Sequence, residues 1–449
     1  MNQEDTIAAI ATAPGKGSIG IVRISGETAL NIAKKITNIN LTAKTTYFLN
    51  FKDINGNNID KGIVLYFKKP HSYTGEDVVE LQGHGGSILL NQLLDVVLKN
   101  GARLARPGEF TERAYLNNKI DLVQAEAISD IINASSERAA KLAMESLKGE
   151  FSRLINQAVK DLTNLRVKIE AAIDFTEEES KDVRESLLLL AIEKLKTTIR
   201  NTLQQAKQGE VLRDGIKVAI IGKPNAGKSS ILNALAGENV AIVTNIKGTT
   251  RDTVQINIQI DGILINVIDT AGLHDSKDPI EKIGIQKTQK TIREADHIIL
   301  ISDITDNYDN DSYIRSKFLQ NISKSVQVTH VYNKIDLVQN KCFISDKNQL
   351  YISAKEKIGL TELKQLLIYR GNKVQTNENI FMARKRHIDA LQISLQHLEK
   401  AFLMLEKLGV NEIVAEELKT AQDHLSDITG IVSADALLGE IFGQFCMGK

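Results

Sequence analysis

The spacing of hydrophobic and polar residues changes along the chain and divides it into regions of different predicted structure. In residues 1–118, short β-type runs such as SIGIVRIS and GIVLYF are separated by Gly and Asn, which predicts a mixed α+β domain. From Lys119 to Gln208 there is no proline and one glycine, and apolar residues recur at helical spacing. That pattern predicts long amphipathic helices over residues 119–210.

The second half of the chain begins with a different pattern. Over residues 211–372, short apolar strands alternate with helices, which is typical of a doubly wound parallel sheet. Residues 373–449 are again helical, with Gly409 expected to end one helix and Asn411 to cap the next. Since helices precede and follow the α/β region, we expect one all-α helical domain with an α/β domain inserted into it.

A phosphate-binding loop follows the first strand of the α/β region. Residues Gly222–Ser229 read G-x-x-x-x-G-K-S directly after VAII. Glycines let the backbone N–H groups surround phosphates, Lys228 reaches the β and γ oxygens, and the Ser229 hydroxyl can bind Mg²⁺. The helix that starts here directs its positive end at the same phosphates.

Three later motifs predict that the nucleotide is GTP. Asp269 ends the apolar run ILINVID and opens DTAG, in which the Gly272 N–H can reach a γ-phosphate. In NKID, Asp336 can accept two hydrogen bonds from guanine, a pattern that adenine lacks. The ISAK stretch, with Ser353, matches a loop that meets the guanine carbonyl. In this order after the phosphate loop, the motifs favour GTP over ATP.

Bulk composition excludes several other classes of protein. Lys and Arg together number 56, as do Asp and Glu, so no net charge indicates nucleic-acid binding. Two cysteines, Cys342 and Cys446, are too few for a disulfide framework. No apolar run approaches the roughly 20 residues that span a bilayer, and the first residues do not form a secretory signal. We therefore expect a cytoplasmic protein without a membrane segment.

Taken together, GKPNAGKSS, GTTRD, DTAGL and NKID resemble the MnmE/TrmE family of tRNA modification GTPases. The helical stretch YLNNKIDLVQAEAISDII and the ending FCMGK are similar to that family too, with Met447 a mild departure. The resemblance covers the whole chain. It implies a GTP hydrolase that takes part in 5-(carboxymethyl)aminomethyl modification of the wobble uridine, position 34, of tRNA.

The resemblance and the motifs together imply a set of GTP contacts. The segment NIKGTTRDT is the expected first switch, where Thr249 and Thr250 are the two candidates to complete the Mg²⁺ shell that Ser229 begins. The implied GTP-binding residues are Asn225, Ala226, Gly227, Lys228, Ser229, Ser230, Thr244, Asn245, Ile246, Lys247, Gly248, Thr249, Thr250, Asp269, Thr270, Ala271, Gly272, Asn333, Lys334, Asp336, Ser353 and Ala354.

Leu273 stands where Ras-type enzymes carry the glutamine that orients water. The family resemblance implies that a potassium ion and a glutamate replace it. The ion would be held by the Asn225 side chain, with Thr244, Ile246 and Thr249 completing its ligands.

The glutamate would be Glu281, as the catalytic residue that orients the attacking water. From the sequence alone Glu281 is equally an ordinary first-turn residue, since it follows Pro279 by two positions.

The N-terminal domain carries only weak signals of its own, because Gly-rich stretches such as LQGHGG are usually turns. The resemblance implies that it binds a 5-formyl- or 5,10-methylene-tetrahydrofolate and forms a homodimer. The implied folate contacts are Arg23, Glu80, Lys119 and Lys449. Cys446 is either a nucleophile near that site or a small core residue. An FAD-dependent partner protein would share the tRNA chemistry in a heterotetramer.

Two features and two rival functions stay open at this stage. The basic run Arg384–His387 either contacts tRNA phosphates or forms a solvated helix face. His84 has no partner visible in the sequence. The rival functions are a ribosome-assembly GTPase that binds RNA without modifying it, and a switch GTPase on a membrane or scaffold. The helical C-terminal segment shows no KH-type module, and the chain ends in MGK rather than in a prenylation box.

Overall fold

The protein is described here from a computed structural model, which covers fourteen stretches of the chain. The described residues are 5–134, 136–174, 181–223, 225–236, 255–260, 263–269, 295–306, 326–338, 345–346, 348–371, 380–430, 441–443, 445–446 and 448. They form two compact units. The first comprises Met1–Ser129, Ser146–Thr197 and Ile393–Lys449, and the second Asp130–Glu145 and Thr198–Gln392.

The first unit contains a six-stranded sheet in the order β3-β4-β5-β2-β1-β6. All neighbouring pairs are antiparallel except β1 and β6. The strands are β1 (Ile7–Ile10), β2 (Gly17–Ser25), β3 (Tyr47–Lys52), β4 (Asn58–Phe67), β5 (Val78–Gly85) and β6 (Arg103–Leu104).

Two helices, α1 (Ala29–Thr37) and α2 (Ser87–Lys99), cover one face of this sheet. Val22 and Ile24 alternate with Arg23 along β2, so the two apolar side chains join Ile32 and Val97 in the core while Arg23 lies on the other face. A shorter helix, α3 (Glu109–Leu116), follows β6. The predicted α+β character of this region is confirmed.

Helices make up most of the next region, as the periodicity predicted. They are α4 (Leu122–Ile132), α5 (Glu137–Leu147), α6 (Glu150–Asp174), α7 (Lys181–Asp214), α10 (Lys385–Leu408) and α11 (Glu412–Thr429). In the first unit α6 packs against α11, where Arg166 donates a hydrogen bond of 3.0 Å to Gln422. Gly409 ends α10 at a φ of +71° and Asn411 caps α11 by accepting from the Val414 N–H, so both expected boundaries are confirmed.

The second unit is built on a sheet in the order β12-β11-β10-β7-β9-β8. Its neighbouring strands are parallel except the antiparallel edge pair β8 and β9. The elements are β7 (Ile216–Gly222), α8 (Lys228–Ala236), β8 (Gln255–Ile260), β9 (Ile263–Asp269), β10 (His297–Asp303), β11 (Gln327–Asn333), β12 (Gln349–Tyr351) and α9 (Leu360–Gly371). The protein is therefore multidomain, with α+β, helical and α/β parts.

The central strands of this second sheet are apolar on both faces. Val218 and Ile220 point into one core cluster, with α8 and α9, and Ala219 and Ile221 into another. Strands buried on both sides read as continuous apolar runs, which is why VAII was recognisable. The carboxyl ends of β7, β10 and β11 lie side by side, and that edge carries the candidate site.

Candidate GTP-binding site

The phosphate-binding loop links the end of β7 to the first residue of α8. Asn225 and Gly227 have φ angles of +64° and +96°, and these left-handed residues turn the chain sharply between strand and helix. Lys228 is the first residue of α8, so the loop N–H groups and the positive end of the helix face the same space. The Lys228 Nζ donates to the carbonyls of Gly222 (2.7 Å) and Lys223 (3.0 Å), which fixes its charge over the loop.

Asn333 ties the phosphate loop to the base-binding loops. Its side chain is buried, its Nδ2 donates to the Ala226 carbonyl at 3.0 Å, and its Oδ1 accepts from the Ala354 N–H at 3.1 Å. A Cβ at Gly227 would lie 2.0 Å from that Nδ2, so only glycine permits this approach. The amide therefore holds three segments of the chain, distant in sequence, at fixed spacing.

The carboxylate of Asp336 is exposed, but its orientation is set by the neighbouring loop. The Ser353 hydroxyl donates to Asp336 Oδ1 at 2.6 Å and itself accepts from the Glu356 N–H at 3.1 Å. Ser353 is fully buried, so this hydroxyl is a fixed donor. An acceptor held in this way suits a ligand edge with two adjacent donors.

These groups surround one cavity of about 490 Å³, a volume that falls within the usual range for small-molecule sites. The cavity joins the phosphate end, at the start of α8, to the base end, at Asp336. It is lined by Asn225, Gly227, Lys228, Ser229, Ser230, Asn333, Lys334, Asp336, Leu337, Ala354 and Lys355. Lys355 is the last residue of the ISAK stretch, whereas Leu337 lines the cavity although no motif includes it; it follows Asp336 of NKID.

Other predicted residues of this site lie outside the described residues. These are the switch residues 244–250, the residues 270–272 of DTAG, and Glu281. Asp269 is described as the last residue of β9, next to the phosphate-binding strand β7 in the sheet. Of the implied potassium ligands only Asn225 is described, and of the implied Mg²⁺ ligands only Ser229. Both line the cavity.

A second candidate site centres on Arg23 and Glu80, which the structure brings together. They are direct cross-strand partners on β2 and β5, and Arg23 Nε donates to Glu80 Oε1 at 3.0 Å. Their side chains are 20% and 14% exposed, so this is no ordinary surface ion pair. The guanidinium also lies over the rings of Tyr73 and Phe110, at 5.5 and 5.7 Å from the ring centroids.

The end of the chain approaches the same place. Arg23 NH1 donates to the Gly448 carbonyl at 3.4 Å, and the Gly108 N–H donates to the Cys446 carbonyl at 3.5 Å. The Cys446 side chain is exposed, which does not fit a core residue, and Lys449 lies outside the described residues. Lys119 is exposed and donates from Nζ to the Pro70 carbonyl at 2.9 Å, on the loop that carries Tyr73.

His84 has a partner that the sequence did not reveal. Its Nδ1 lies 2.7 Å from Asp60 Oδ1, and its N–H donates to Asp60 Oδ2 at 2.8 Å. Burial raises the pKa of Asp60, but hydrogen bonds from the His84 backbone and ring outweigh this and hold the pKa below its ordinary value. Asp60 is therefore a carboxylate, and the exposed imidazole is oriented by it.

The basic run near residue 384 is split by the fold. Arg384 NH2 forms a 2.8 Å ion pair with Asp130, and His387 is buried with its Nδ1 accepting from the Arg384 N–H. Lys385 is exposed. Lys385 is thus open to solvent, whereas Arg384 and His387 have partners within the fold.

Among helices within the described stretches, none has both the length and the apolarity needed to cross a membrane.

A family model for the N-terminus of the GTP-binding protein TrmE matches residues 6–119, and the model of the MnmE helical domain matches residues 122–446.

Full-length relatives agree with these matches. The chain is 48% identical to the tRNA modification GTPase MnmE of Francisella philomiragia, with 100% of both chains covered. It is 48% identical to that of Saccharophagus degradans, covering 99% of each chain, and 47% identical to that of Pasteurella multocida, covering 99% of this chain and 100% of the relative. Similarity of this extent, over a chain that carries a guanine-nucleotide site of this geometry, places it in the MnmE/TrmE family of tRNA modification GTPases.

Proposed function

We propose that this chain hydrolyses GTP as part of the reaction that builds the 5-(carboxymethyl)aminomethyl group on the wobble uridine, position 34, of tRNA. The observation that carries the proposal is the Asn333 amide, which ties Ala226 to Ala354 beside the oriented carboxylate of Asp336. The relatives at 48% identity are named for tRNA modification, which supports the substrate.

In the proposed nucleotide complex, each end of the cavity has its own task. Lys228 and the loop N–H groups bind the β- and γ-phosphates, and Asp336 selects guanine through its two ring donors. Ser229, in the first turn of α8, offers the hard oxygen that Mg²⁺ prefers, and Thr250 is the proposed second ligand. The ion supplies positive charge that offsets the charge on the phosphate oxygens.

We further propose that potassium stimulates hydrolysis, with Glu281 orienting water. Asn225 lines the phosphate end of the cavity, and its side-chain oxygen suits a cation there. Thr244, Ile246 and Thr249 complete the proposed ligands. A cation fixed near the transferring phosphoryl group offsets charge that builds in the transition state. Leu273, in the position of a water-orienting glutamine, makes a replacement necessary.

The test is steady-state GTP hydrolysis in KCl and in NaCl at matched ionic strength, for the wild type and for Glu281→Ala. Strong acceleration by potassium that is lost in the variant is expected. Asn225→Ala should lose the potassium response while keeping nucleotide binding in part. Equal slow rates in both salts for the wild type would refute the cation mechanism.

For the N-terminal domain we propose tetrahydrofolate binding and homodimerisation. Support comes from the paired Arg23 and Glu80, a cation and a carboxylate held together on the sheet face that the end of the chain approaches. A carboxylate suits the donor edge of a pterin, and cations suit a glutamate tail or a formyl oxygen. An FAD-dependent partner protein would complete the cytoplasmic assembly that acts on tRNA.

Folate binding is tested by equilibrium dialysis with 5-formyl-tetrahydrofolate. Arg23→Ala and Glu80→Gln should weaken binding, whereas Lys35→Ala, an exposed residue on the helix that covers the opposite sheet face, should not. Equal binding by all three variants would place the folate elsewhere.

The tRNA role is tested by mass spectrometry of tRNA nucleosides from cells in which the chromosomal copy is replaced by Asp336→Ala. Loss of the wobble modification with normal ribosomal subunits is the expected outcome. Accumulated subunit precursors with intact modification would instead favour the ribosome-assembly alternative.

The domain division proposed with this function follows the sequence pattern. Residues 1–118 form the folate-binding and dimerisation domain, 119–210 and 373–449 form the helical domain, and 211–372 form the GTPase domain.

A further inference from the structure

The last residue of β10 and the turn after it, together Asp303–Asp306, contact both halves of the nucleotide site without lining its cavity. We propose that Asp303 is a positioning residue of this site, which holds Lys334 and the backbone of Asn333 in the conformation that binds guanine nucleotides. The inference rests on the proposed GTP binding and adds a determinant that none of the sequence motifs contains.

The sheet places this turn between the two binding loops. Strand β10 lies between β7 and β11, parallel to both, with Ile301 opposite Gly222 and Asp303 opposite Asn333. The phosphate loop therefore begins on one side of the end of β10, and the base-binding loop begins on the other. A rigid turn at this point can fix the separation of the two loops.

Asp303 makes its contacts through both carboxylate oxygens. Oδ2 lies 2.5 Å from Lys334 Nζ, and Oδ1 accepts from the Thr305 N–H (2.9 Å) and hydroxyl (2.7 Å). The Asp303 side chain is 14% exposed, so water competes little for these bonds. Burial raises the pKa of Asp303, but the bonds from Lys334 and Thr305 outweigh it and lower the pKa, so the group is a carboxylate.

Lys334 needs such support because of its backbone. It has a φ of +68°, in the left-handed region that residues with a side chain rarely adopt. The same peptide region is held by the Ile304 N–H, which donates to the Asn333 carbonyl at 3.0 Å. Lys334 itself lines the cavity together with Asn333 and Asp336, so a rotation of its backbone would displace these two residues as well.

The second ion pair of the turn carries less weight. Asp306 Oδ2 lies 3.5 Å from Lys223 Nζ, and the two side chains are 54% and 41% exposed. Exposed pairs at this distance contribute little, because water screens them and both side chains lose freedom. Asp306 therefore provides a matched control, in the same turn and with the same charge.

Asp303 does not touch the cavity, so its removal should act on how long the nucleotide stays bound and not on the chemical step. Loss of a charged hydrogen-bond partner that is mostly buried corresponds to a change of roughly tenfold or more in an equilibrium constant, here the affinity for the nucleotide. We expect the dissociation rate of guanine nucleotides to rise by about that factor in Asp303→Ala, since changes in affinity reside mostly in dissociation. The maximal hydrolysis rate at saturating GTP should change little.

The experiment is stopped-flow fluorescence with N-methylanthraniloyl-GDP on the full-length protein, which has no tryptophan to interfere. Dissociation rates are measured for the wild type, Asp303→Ala, Asp303→Asn, Thr305→Ala and Asp306→Ala. Nucleotide dissociation should be fastest from Asp303→Ala and close to the wild-type rate from Asp306→Ala. Asp303→Asn should be intermediate, because its side-chain oxygen can still accept the hydrogen bonds from Thr305. A double-mutant cycle with Lys334→Gln should show that the effect of Asp303 depends on Lys334.

Each outcome decides between the hypotheses. If the wild type does not bind the nucleotide, the proposed GTP function itself fails. If it binds and Asp303→Ala dissociates at the rate of Asp306→Ala, or if the two substitutions at 303 and 334 are additive, the positioning role is refuted. Asp303→Asn preserves the shape of the side chain, so it provides the same comparison if the alanine variant does not fold.

Discussion

Glu109, at the start of α3, lends itself to a quantitative test because one buried carboxylate collects several donors. Arg103 contacts it with NH2 at 2.7 Å from Oε1 and NH1 at 3.0 Å from Oε2, and the Arg106 N–H donates to Oε2 at 2.7 Å. The residue is only 2% exposed. Burial raises the pKa of Glu109, but these donors outweigh it and lower the pKa from 4.5 to about 2.

The stabilisation follows from that difference. A fall of this size in the pKa corresponds to about 3 kcal/mol of free energy of unfolding at pH 7. Because the folded pKa is below the unfolded one, the contribution is complete above about pH 5 and is lost as pH falls towards 2, leaving about 1 kcal/mol at pH 3. Glu109→Gln should remove this pH-dependent part.

Hydrogen exchange of the peptide that covers α3, followed by mass spectrometry, measures the local free energy of opening in the full chain. The opening free energy of the wild type should exceed that of Glu109→Gln by about 2 kcal/mol less at pH 3 than at pH 7. Glu112→Gln is the control, because burial raises the pKa of Glu112, so its neutralisation should not produce this loss. If the difference in opening free energy between the wild type and Glu109→Gln did not change with pH, the ion pair would not stabilise α3.

Three further predictions concern other parts of the molecule. Gly209→Ala places a Cβ 1.9 Å from the Phe381 carbonyl oxygen, so thermal unfolding should show a loss of about 1–3 kcal/mol in stability. Gly86→Ala is the control, because its Cβ would point into open space and should have little effect. Lys385→Ala should leave thermal stability unchanged and, if this face binds tRNA, reduce the salt dependence of tRNA binding. Arg384→Ala should lower thermal stability, because it removes the 2.8 Å ion pair with Asp130. Asp336→Asn should shift the binding preference from GTP towards xanthosine triphosphate in competition binding, because an amide can donate where the carboxylate only accepts. An unchanged preference would mean that Asp336 does not contact the base.

The sequence predicted the elements whose signals are local. The phosphate loop is a contiguous motif, β7 is a continuous apolar run, and Asn411 caps the helix that begins at the next residue. Each depends on interactions within a few residues, which periodicity and short motifs capture.

The pairings across the sheets could not be predicted, since they depend on register. His84 and Asp60 meet because β4 and β5 align in one of several possible registers, and no short-range pattern marks their pairing. Asp303 likewise follows an apolar run without any motif, and only the parallel alignment of β10 and β11 brings it opposite Asn333 and against Lys334. Family resemblance named Arg23 and Glu80, but their direct contact became visible only in the fold.

The bond from Arg23 to the Gly448 carbonyl has a consequence for biosynthesis. The two residues are 425 positions apart, so at ordinary rates of translation Gly448 is added roughly 20 to 85 s after Arg23. The sheet that carries Arg23 and Glu80 can form on the ribosome long before the segment that reaches it has been made. Until then the Arg23 side of this site stays open. A nascent chain whose synthesis stopped shortly before Gly448 would present Arg23 and Glu80 without the segment that contacts Arg23.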